Sequence, residues 1–253
     1  MNLLCLCPTY GRPPTLLETT TELFMRQDYP TDQRLLCLLD DLGNVPTRNI
    51  ADSVSIFSTG QRFESLPAKY DFATAPWDGW HRFAFQEFAW DAVVVWDDDD
   101  IYLPWHLRSH AAALADHGWS KPSMIRSTYG CRAGQTIVES ATGRFHGSVA
   151  IRREMLPRMG GWLGVMPPGE ATRADFDQRM IAALQAIEPP GDPLQFDPSP
   201  SYVYGWGRSQ HCSGLMGHSD WYARHAETAY TAPIEQLTPQ LDPHAAQIVA
   251  ALV

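Results

Sequence analysis

The sequence contains no run approaching the roughly 20 consecutive apolar residues that a membrane-spanning helix needs, so no span is expected. It also lacks a basic leader. The apolar "LLCLC" near the amino terminus is only five residues long and stops at Pro8, which argues against a secretory signal and predicts a cytoplasmic protein. Positive charge is scarce: 19 Lys and Arg face 29 Asp and Glu, for a net charge of -10. That balance argues against general affinity for nucleic acid or anionic membranes, although a local basic groove remains compatible with it. Cysteine is sparse and unpaired. Cys5, Cys7, Cys37, Cys131 and Cys212 form an odd set without paired spacing, as expected of free thiols in a reducing compartment. A zinc site at Cys5 and Cys7 is disfavoured because no second Cys/His pair has matching spacing. With 253 residues the chain can bury an ordinary core without disulfide staples.

What is present is an alternation of strands and helices. Residues 3–7 form an apolar run closed by a Pro/Gly loop, "PTYGRPP". Leu16, Leu17, Leu23 and Phe24 follow at helical spacing within 14–27. Strands are expected at 34–41 ("RLLCLLDD"), 54–59 ("VSIFST") and 92–96 ("AVVVW"), with helices at 79–90 and 104–118, the latter bounded by Pro104 and Gly118. Such alternation predicts a parallel α/β sheet with crossover helices. Beyond residue 120 the pattern changes to shorter, partly antiparallel strands in "SMIRSTYG", "QTIVES" and "GSVAIRR". A helix is expected over 171–187, then a Pro-rich turn region and a mixed tail.

Three of the early strands end in conspicuous loops: "PTYGRP", "DDLGN" and "DDDDIYLP". In an open parallel sheet these loops gather at one rim, where ligands bind. Four consecutive carboxylates, Asp97, Asp98, Asp99 and Asp100, repel one another. A divalent cation relieves that cost. Mg²⁺ takes one or two carboxylates together with substrate phosphate oxygens, so a strand-end Asp cluster points to a metal gripping a phosphorylated ligand. The plain alternative is a solvated acidic turn or a helix cap. Its position between a buried strand and an aromatic-rich loop favours the metal.

In order, "CPTYGRP", "LLDDLGN" and "VVVWDDDDIYLPWHL" resemble the motifs of nucleotide-sugar-dependent glycosyltransferases of the GT-A fold, most like family 2. The resemblance covers the first 110 residues and continues more loosely to about 212. It implies a Rossmann-like, mostly parallel central sheet flanked by helices, with a smaller mixed acceptor-side region. It also implies a nucleotide-sugar-binding half over 1–120, an acceptor-side half over 121–218 and a tail or helical segment over 219–253. Thr9, Tyr10 and Arg12 would line the nucleotide pocket, and Asp40 or Asp41 would receive the N–H edge of the base. Asp97 and Asp99 occupy the D-x-D register, with Asp99 the main ligand of Mn²⁺ or Mg²⁺ and Asp97 toward the ribose. The shifted register of Asp98 and Asp100 stays open. Lys69, in "LPAKYDFA", is a candidate phosphate or base contact, or else a solvated surface lysine. "DDLGN" and "GRP" depart from the usual "DDGS" and "NRP", which leaves the contacts after Asp41 open and removes one side-chain amide.

On the acceptor side, inverting transfer needs a base near the anomeric carbon. By the same resemblance Asp175 in "GEATRADFDQRM" fits that position, with Asp177 and Glu170 as alternatives, although Ala174 replaces the usual preceding Glu. "MGGWLG" matches the Gly-Gly-aromatic loop before that helix. Gly161 would allow close approach of the sugar, and Trp162 would form an apolar wall or a core anchor. In "YVYGWGRSQHCSG", Arg208 would neutralise the diphosphate and His211 would complete the metal shell. His146, in "RFHGS", and more weakly His218 are further candidates, His146 for the acceptor or sugar pocket. The implied activity is transfer of a sugar from a nucleoside-diphosphate sugar to an acceptor hydroxyl, with inversion. The acceptor could be a glycan, a metabolite, a protein or a modified DNA base. Two other classes compete. A nucleotidyltransferase would call for a more Gly-rich, basic first loop than "PTYGRPP". A non-catalytic nucleotide- or glycan-binding module would fit the altered Ala174 and Gly11.

Overall fold

The structure, a computed structural model, describes residues 1–9, 14–40, 48–51, 53–58, 63, 65–74, 88–127, 135–166, 176–197, 199–204 and 230–233. In chain order the elements are β1 (Leu3–Thr9), α1 (Pro14–Met25), β2 (Arg34–Asp40), β3 (Arg48–Ala51), β4 (Val54–Ser58), α2 (Leu66–Thr74), β5 (Ala92–Val95), β6 (Ile101–Tyr102), α3 (His106–Ala113), β7 (Trp119–Ser120), β8 (Met124–Ser127), β9 (Gln135–Ser140), β10 (Ala150–Arg152), α4 (Met155–Arg158), α5 (Gly161–Gly164), α6 (Phe176–Ile187), β11 (Tyr202–Tyr204) and β12 (Tyr230–Pro233).

Strands β1, β2 and β5 are apolar along almost their whole length because both faces of their sheet are covered. Alternate side chains go to opposite sides. Leu3, Cys5 and Cys7, with Leu36, Leu38 and Val94, pack under Leu23 and Phe24 of α1, Leu107 of α3 and residues of a second sheet. Leu4 and Leu6, with Cys37, Leu39, Val93 and Val95, pack under Tyr70 of α2, Trp162 of α5 and the Phe176, Met180, Ile181 and Leu184 stripe of α6. The described cysteines, Cys5, Cys7 and Cys37, are buried free thiols. Cys131 and Cys212 lie outside the described residues.

The main sheet has seven strands in the order β3-β4-β2-β1-β5-β10-β7. Its centre, β4-β2-β1-β5, is parallel, while β3 and β10 run antiparallel to their neighbours. The second sheet, β12-β9-β8-β11-β6, is mixed. The expected α/β architecture with a mostly parallel centre is therefore present. Several details go beyond or differ from the expectation. "LPAKYDFAT" is a helix, α2. "GSVAIRR" supplies β10 to the main sheet rather than to the mixed region, and part of the tail is β12, paired with β9. The helix expected at 104–118 covers only His106–Ala113. The one expected at 79–90 falls almost wholly outside the described residues. Among the described residues no helix is long and apolar enough to cross a membrane.

Helix α3 buries two histidines one turn apart. His106 and His110 are both fully buried. Their Nδ1 atoms meet Ser201 Oγ at 2.9 Å and Ser120 Oγ at 2.5 Å. Neither Nε2 has a hydrogen-bond partner among the described residues. The rings lie 4.5 Å apart, and His106 also stands edge-on to Tyr102. Burial, with the neighbouring His110, holds His106 well below the usual imidazole range; burial, with Lys121, takes His110 down to about 3.

An unfolded histidine titrates near 6.5. Below that pH the unfolded chain therefore binds protons that these two native side chains refuse. Their stabilising contribution is complete above about pH 6.5 and is lost as pH falls, at up to about 1.4 kcal/mol per pH unit for each histidine. Urea denaturation at pH 7 and pH 5 should show the loss, and His110→Asn should remove roughly half of it. Equal stability of the native chain at the two pH values would refute this account.

Candidate active site

The chain enters the main sheet at its centre. From β1 it moves to β2 and on to β4, then returns to the other side of β1 as β5. The order therefore reverses between β1 and β5, and such a reversal opens a crevice beyond the carboxyl ends of the two strands. Register shows what lines it. Thr9 pairs with Asp40, and Leu6 pairs with Val95, so the ends of β1 and β2 and the acidic run after β5 share one rim.

The four aspartates alternate. Asp98 and Asp100 are buried, whereas Asp97 and Asp99 are partly exposed. The backbone of the run is pinned from both layers. Thr20 Oγ1 of α1 donates to the Asp98 carbonyl at 2.9 Å, and the Asp97 N–H donates to the Tyr102 hydroxyl at 2.6 Å. Tyr102 is itself stacked on Trp96, with centroids 3.9 Å apart. Asp100 turns inward and accepts a hydrogen bond from the Tyr202 hydroxyl, which β11 delivers by pairing Tyr202 with Tyr102. Burial first, and then the charges of this run, raise Tyr70, Tyr102, Tyr202, Tyr204 and Cys7 well above their ordinary ranges. The neighbouring hydroxyls therefore stay neutral and serve as dipoles, and the local field is strongly negative.

Lys69 and Lys121 are the only lysines in the sequence, and both are buried. Lys69 is thus not a surface lysine. Helix α2 brings it to the rim, where Nζ donates to the Thr9 carbonyl at 3.1 Å. Asp40 is buried at the end of β2. Two buried polar atoms beside these groups, Thr9 Oγ1 and Tyr70 OH, have no hydrogen-bond partner among the described residues.

His146 meets the rim from the far side. Strand β10 runs antiparallel beside β5, pairing Ala150 with Val94, and Val95 N–H donates to the Val149 carbonyl at 3.0 Å. Continuing that register sets Gly147 opposite Asp97. His146 Nε2 lies 3.4 Å from Asp97 Oδ1, an ion-pair distance slightly beyond a full hydrogen bond. Burial opposes its charge, but Asp97, Asp177 and Asp100 together outweigh burial and push the imidazole up to about 9. Asp177 lies in the first turn of α6. Trp162 is enclosed in the core rather than open as a wall. Its ring packs 4.9 Å from Tyr70, and Nε1 donates to Thr74 Oγ1 at 2.8 Å. Gly161 has φ 73, a conformation that suits glycine, and faces Asp71. Tyr10, Arg12, Asp41, Glu170, Asp175, Arg208, His211 and His218 lie outside the described residues. Among the described residues no group of three His, Cys, Asp or Glu is arranged to hold a metal ion.

Sequence reasoning missed Gly147, Thr20, Tyr70, Tyr102 and Tyr202. Only the tyrosines carried a signal, since "IYLP" adjoins the acidic run and "YVY" alternates as a strand would. A separate hollow of about 450 Å³, lined by Met1, Trp90, Asp91, Arg152, Arg153 and Glu154, lies at the opposite, amino-terminal edge of the sheet. It mixes charges of both signs and holds none of the groups above.

No protein-family model matches the chain, and no curated protein matches its sequence. Solved structures do. Residues 1–349 of S. aureus TarS align over 81% of this chain and 60% of that one, with a TM-score of 0.55 and 13% identity. The same fragment in complex with UDP-GlcNAc aligns over 88% and 64%, with a TM-score of 0.52 and 12% identity. The mannosyltransferase PcManGT from Pyrobaculum calidifontis, in complex with GDP-Man and Mn²⁺, aligns over 99% and 68%, with a TM-score of 0.51 and 16% identity. The chain thus spans less than two thirds of the TarS fragment's length. Its strand order, its rim at the switch point and these likenesses agree on one architecture: the chain has the GT-A fold of nucleotide-sugar glycosyltransferases.

Proposed function

We propose that the chain is a metal-dependent glycosyltransferase that moves a sugar from a nucleoside-diphosphate sugar to an acceptor hydroxyl with inversion. The observation that carries this reading is the alternation within the acidic run at the switch point. Asp98 and Asp100 are turned inward, which leaves Asp97 and Asp99 to meet a ligand. Support comes from the shared fold: TarS has been crystallised with UDP and with UDP-GlcNAc, and PcManGT with GDP-Man and Mn²⁺.

The donor set fits a divalent cation. Mg²⁺ and similar ions need only one or two carboxylates when substrate phosphates complete the shell. Burial first, and then the negative charge of the run, raises four tyrosines and Cys7, and a cation would relieve the second of these causes. Asp99 would hold the ion, with Asp97 toward the ribose or as a second ligand and His211 completing the shell. When bound, Mn²⁺ or Mg²⁺ neutralises the charge that develops on the departing diphosphate. Thr9, Tyr10, Arg12 and Asp40 or Asp41 would bind the nucleoside. Lys69 and Arg208 would add positive charge on the phosphate side. Asp175, with Asp177 and Glu170 as alternatives, takes the acceptor proton as the acceptor oxygen bonds to the anomeric carbon and the bond to the diphosphate breaks.

A thermal-shift panel of UDP- and GDP-sugars with Mn²⁺ or Mg²⁺ tests the reading, since a ligand of the native state raises its apparent stability. The native chain should be stabilised by at least one nucleotide sugar only when metal is present. Asp99→Ala should abolish that shift and lower turnover about a thousandfold, equivalent to about 4 kcal/mol of transition-state stabilisation. Full activity in Asp99→Ala would sink the mechanism. Asp100→Asn should act differently: it weakens the bond from Tyr202 and lowers folding stability by about 1–3 kcal/mol, measured by urea denaturation.

A further inference from the structure

We infer that His146 is a positioning residue for Asp97, held in place by a strained and sterically closed segment, Phe145–Gly147. The inference rests on the donor-site reading above.

Three observations converge on it. Antiparallel pairing of β10 with β5 brings residues 146–148 alongside the start of the acidic run, and His146 Nε2 stands 3.4 Å from Asp97 Oδ1. The absence of a side chain at Gly147 leaves room for the other carboxylate oxygen. A Cβ added there would fall well inside contact distance of Asp97 Oδ2, and 2.9 Å and 3.2 Å from the hydroxyls of Tyr202 and Tyr102. Finally, Phe145 has φ 61 and is the only described non-glycine residue in the left-handed region. A bulky residue persists there only when its surroundings demand it. Those surroundings are visible: its ring packs 5.1 Å from Tyr204, and the Arg144 guanidinium lies 4.6 Å above it.

The Asp97 carboxylate therefore has His146 beside one oxygen and the Gly147 backbone close to the other, and its backbone N–H is fixed by Tyr102. The segment also packs against α6, whose first turn carries Asp177. One turn of chain thus touches the carboxylate on the donor side and the helix that follows the candidate base. Removing a partner that orients a metal-site carboxylate typically costs 10–100-fold in metal affinity or activity.

The test is calorimetric titration of UDP and of GDP into the native chain, His146→Ala, His146→Gln and Gly147→Ala, each with and without Mn²⁺. His146→Ala should weaken Mn²⁺-dependent nucleotide binding by about 10–100-fold and leave metal-free binding within about twofold. His146→Gln should recover part of the loss, because its amide N–H can donate to the same carboxylate oxygen without the imidazolium charge. Gly147→Ala, which displaces Asp97, should match His146→Ala; if that variant does not fold, the His146 pair decides alone. Binding at native strength in His146→Ala, or an equal loss with and without metal, overturns the positioning role while leaving the donor reading intact. If the native chain binds neither nucleotide in a Mn²⁺-dependent way, the donor reading fails and the positioning role falls with it.

Discussion

Four adjacent carboxylates at the end of a buried strand are the constraint around which the site is arranged. Two unit charges at contact distance interact by about 4 kcal/mol at an effective dielectric of 20, so such a run cannot be left to itself in a folded interior. Neutral dipoles fix the geometry of the run, two at its backbone and one at a carboxylate, while the His146 imidazole stands beside Asp97. Thr20 holds the Asp98 carbonyl, Tyr102 accepts the Asp97 N–H, and Tyr202 donates to Asp100. Each comes from a different element, α1, β6 and β11, so the run also ties the two sheets together. Hydroxyls fix geometry without cancelling charge. Negative charge therefore survives at the rim, where Asp97 and Asp99 are partly exposed.

Topology decides what else reaches that field. With β10 antiparallel to β5, the residues entering one strand stand beside those leaving the other. The acidic rim and residues 146–148 thus meet at Asp97, His146 and Gly147. A parallel neighbour would have carried residues 146–148 to the opposite edge of the sheet. One strand of reversed direction thus brings a second segment of chain to the switch point.

Much of this was legible in the sequence, for identifiable reasons. β1, β2, β4 and β5 are runs of buried side chains closed by Pro, Gly or Asp, and a parallel sheet covered on both faces leaves that trace. The acidic run was legible too, as the end of a buried strand. Helix α2 was not. "LPAKYDFAT" has no regular apolar stripe, and Lys69 reads as a surface residue, although α2 buries it against the carboxyl end of β1. The sheet that "GSVAIRR" joins was not legible either, since strand pattern specifies burial and not partner. Trp162 looked equally suited to a ligand wall or to the core. Its neighbours Tyr70 and Phe176, which decide the matter, are far away in sequence.

Tyr70 carries the argument one step further. Its ring is fully buried against Trp162 and Phe176, a role that phenylalanine would fill as well. Its hydroxyl, like Thr9 Oγ1, has no partner among the described residues, and a buried polar atom left unpaired costs about 1–3 kcal/mol. Packing alone therefore does not explain why this position carries a hydroxyl. Both atoms adjoin the rim: Lys69 binds the Thr9 carbonyl, and the charges of Asp97 and Asp98 reach Tyr70. A polar ligand that completes those two groups while meeting Asp97, Asp99 and Lys69 would turn a local cost in folding into selectivity for what binds. A nucleoside diphosphate gripped by a divalent ion has the acceptors and donors to do so.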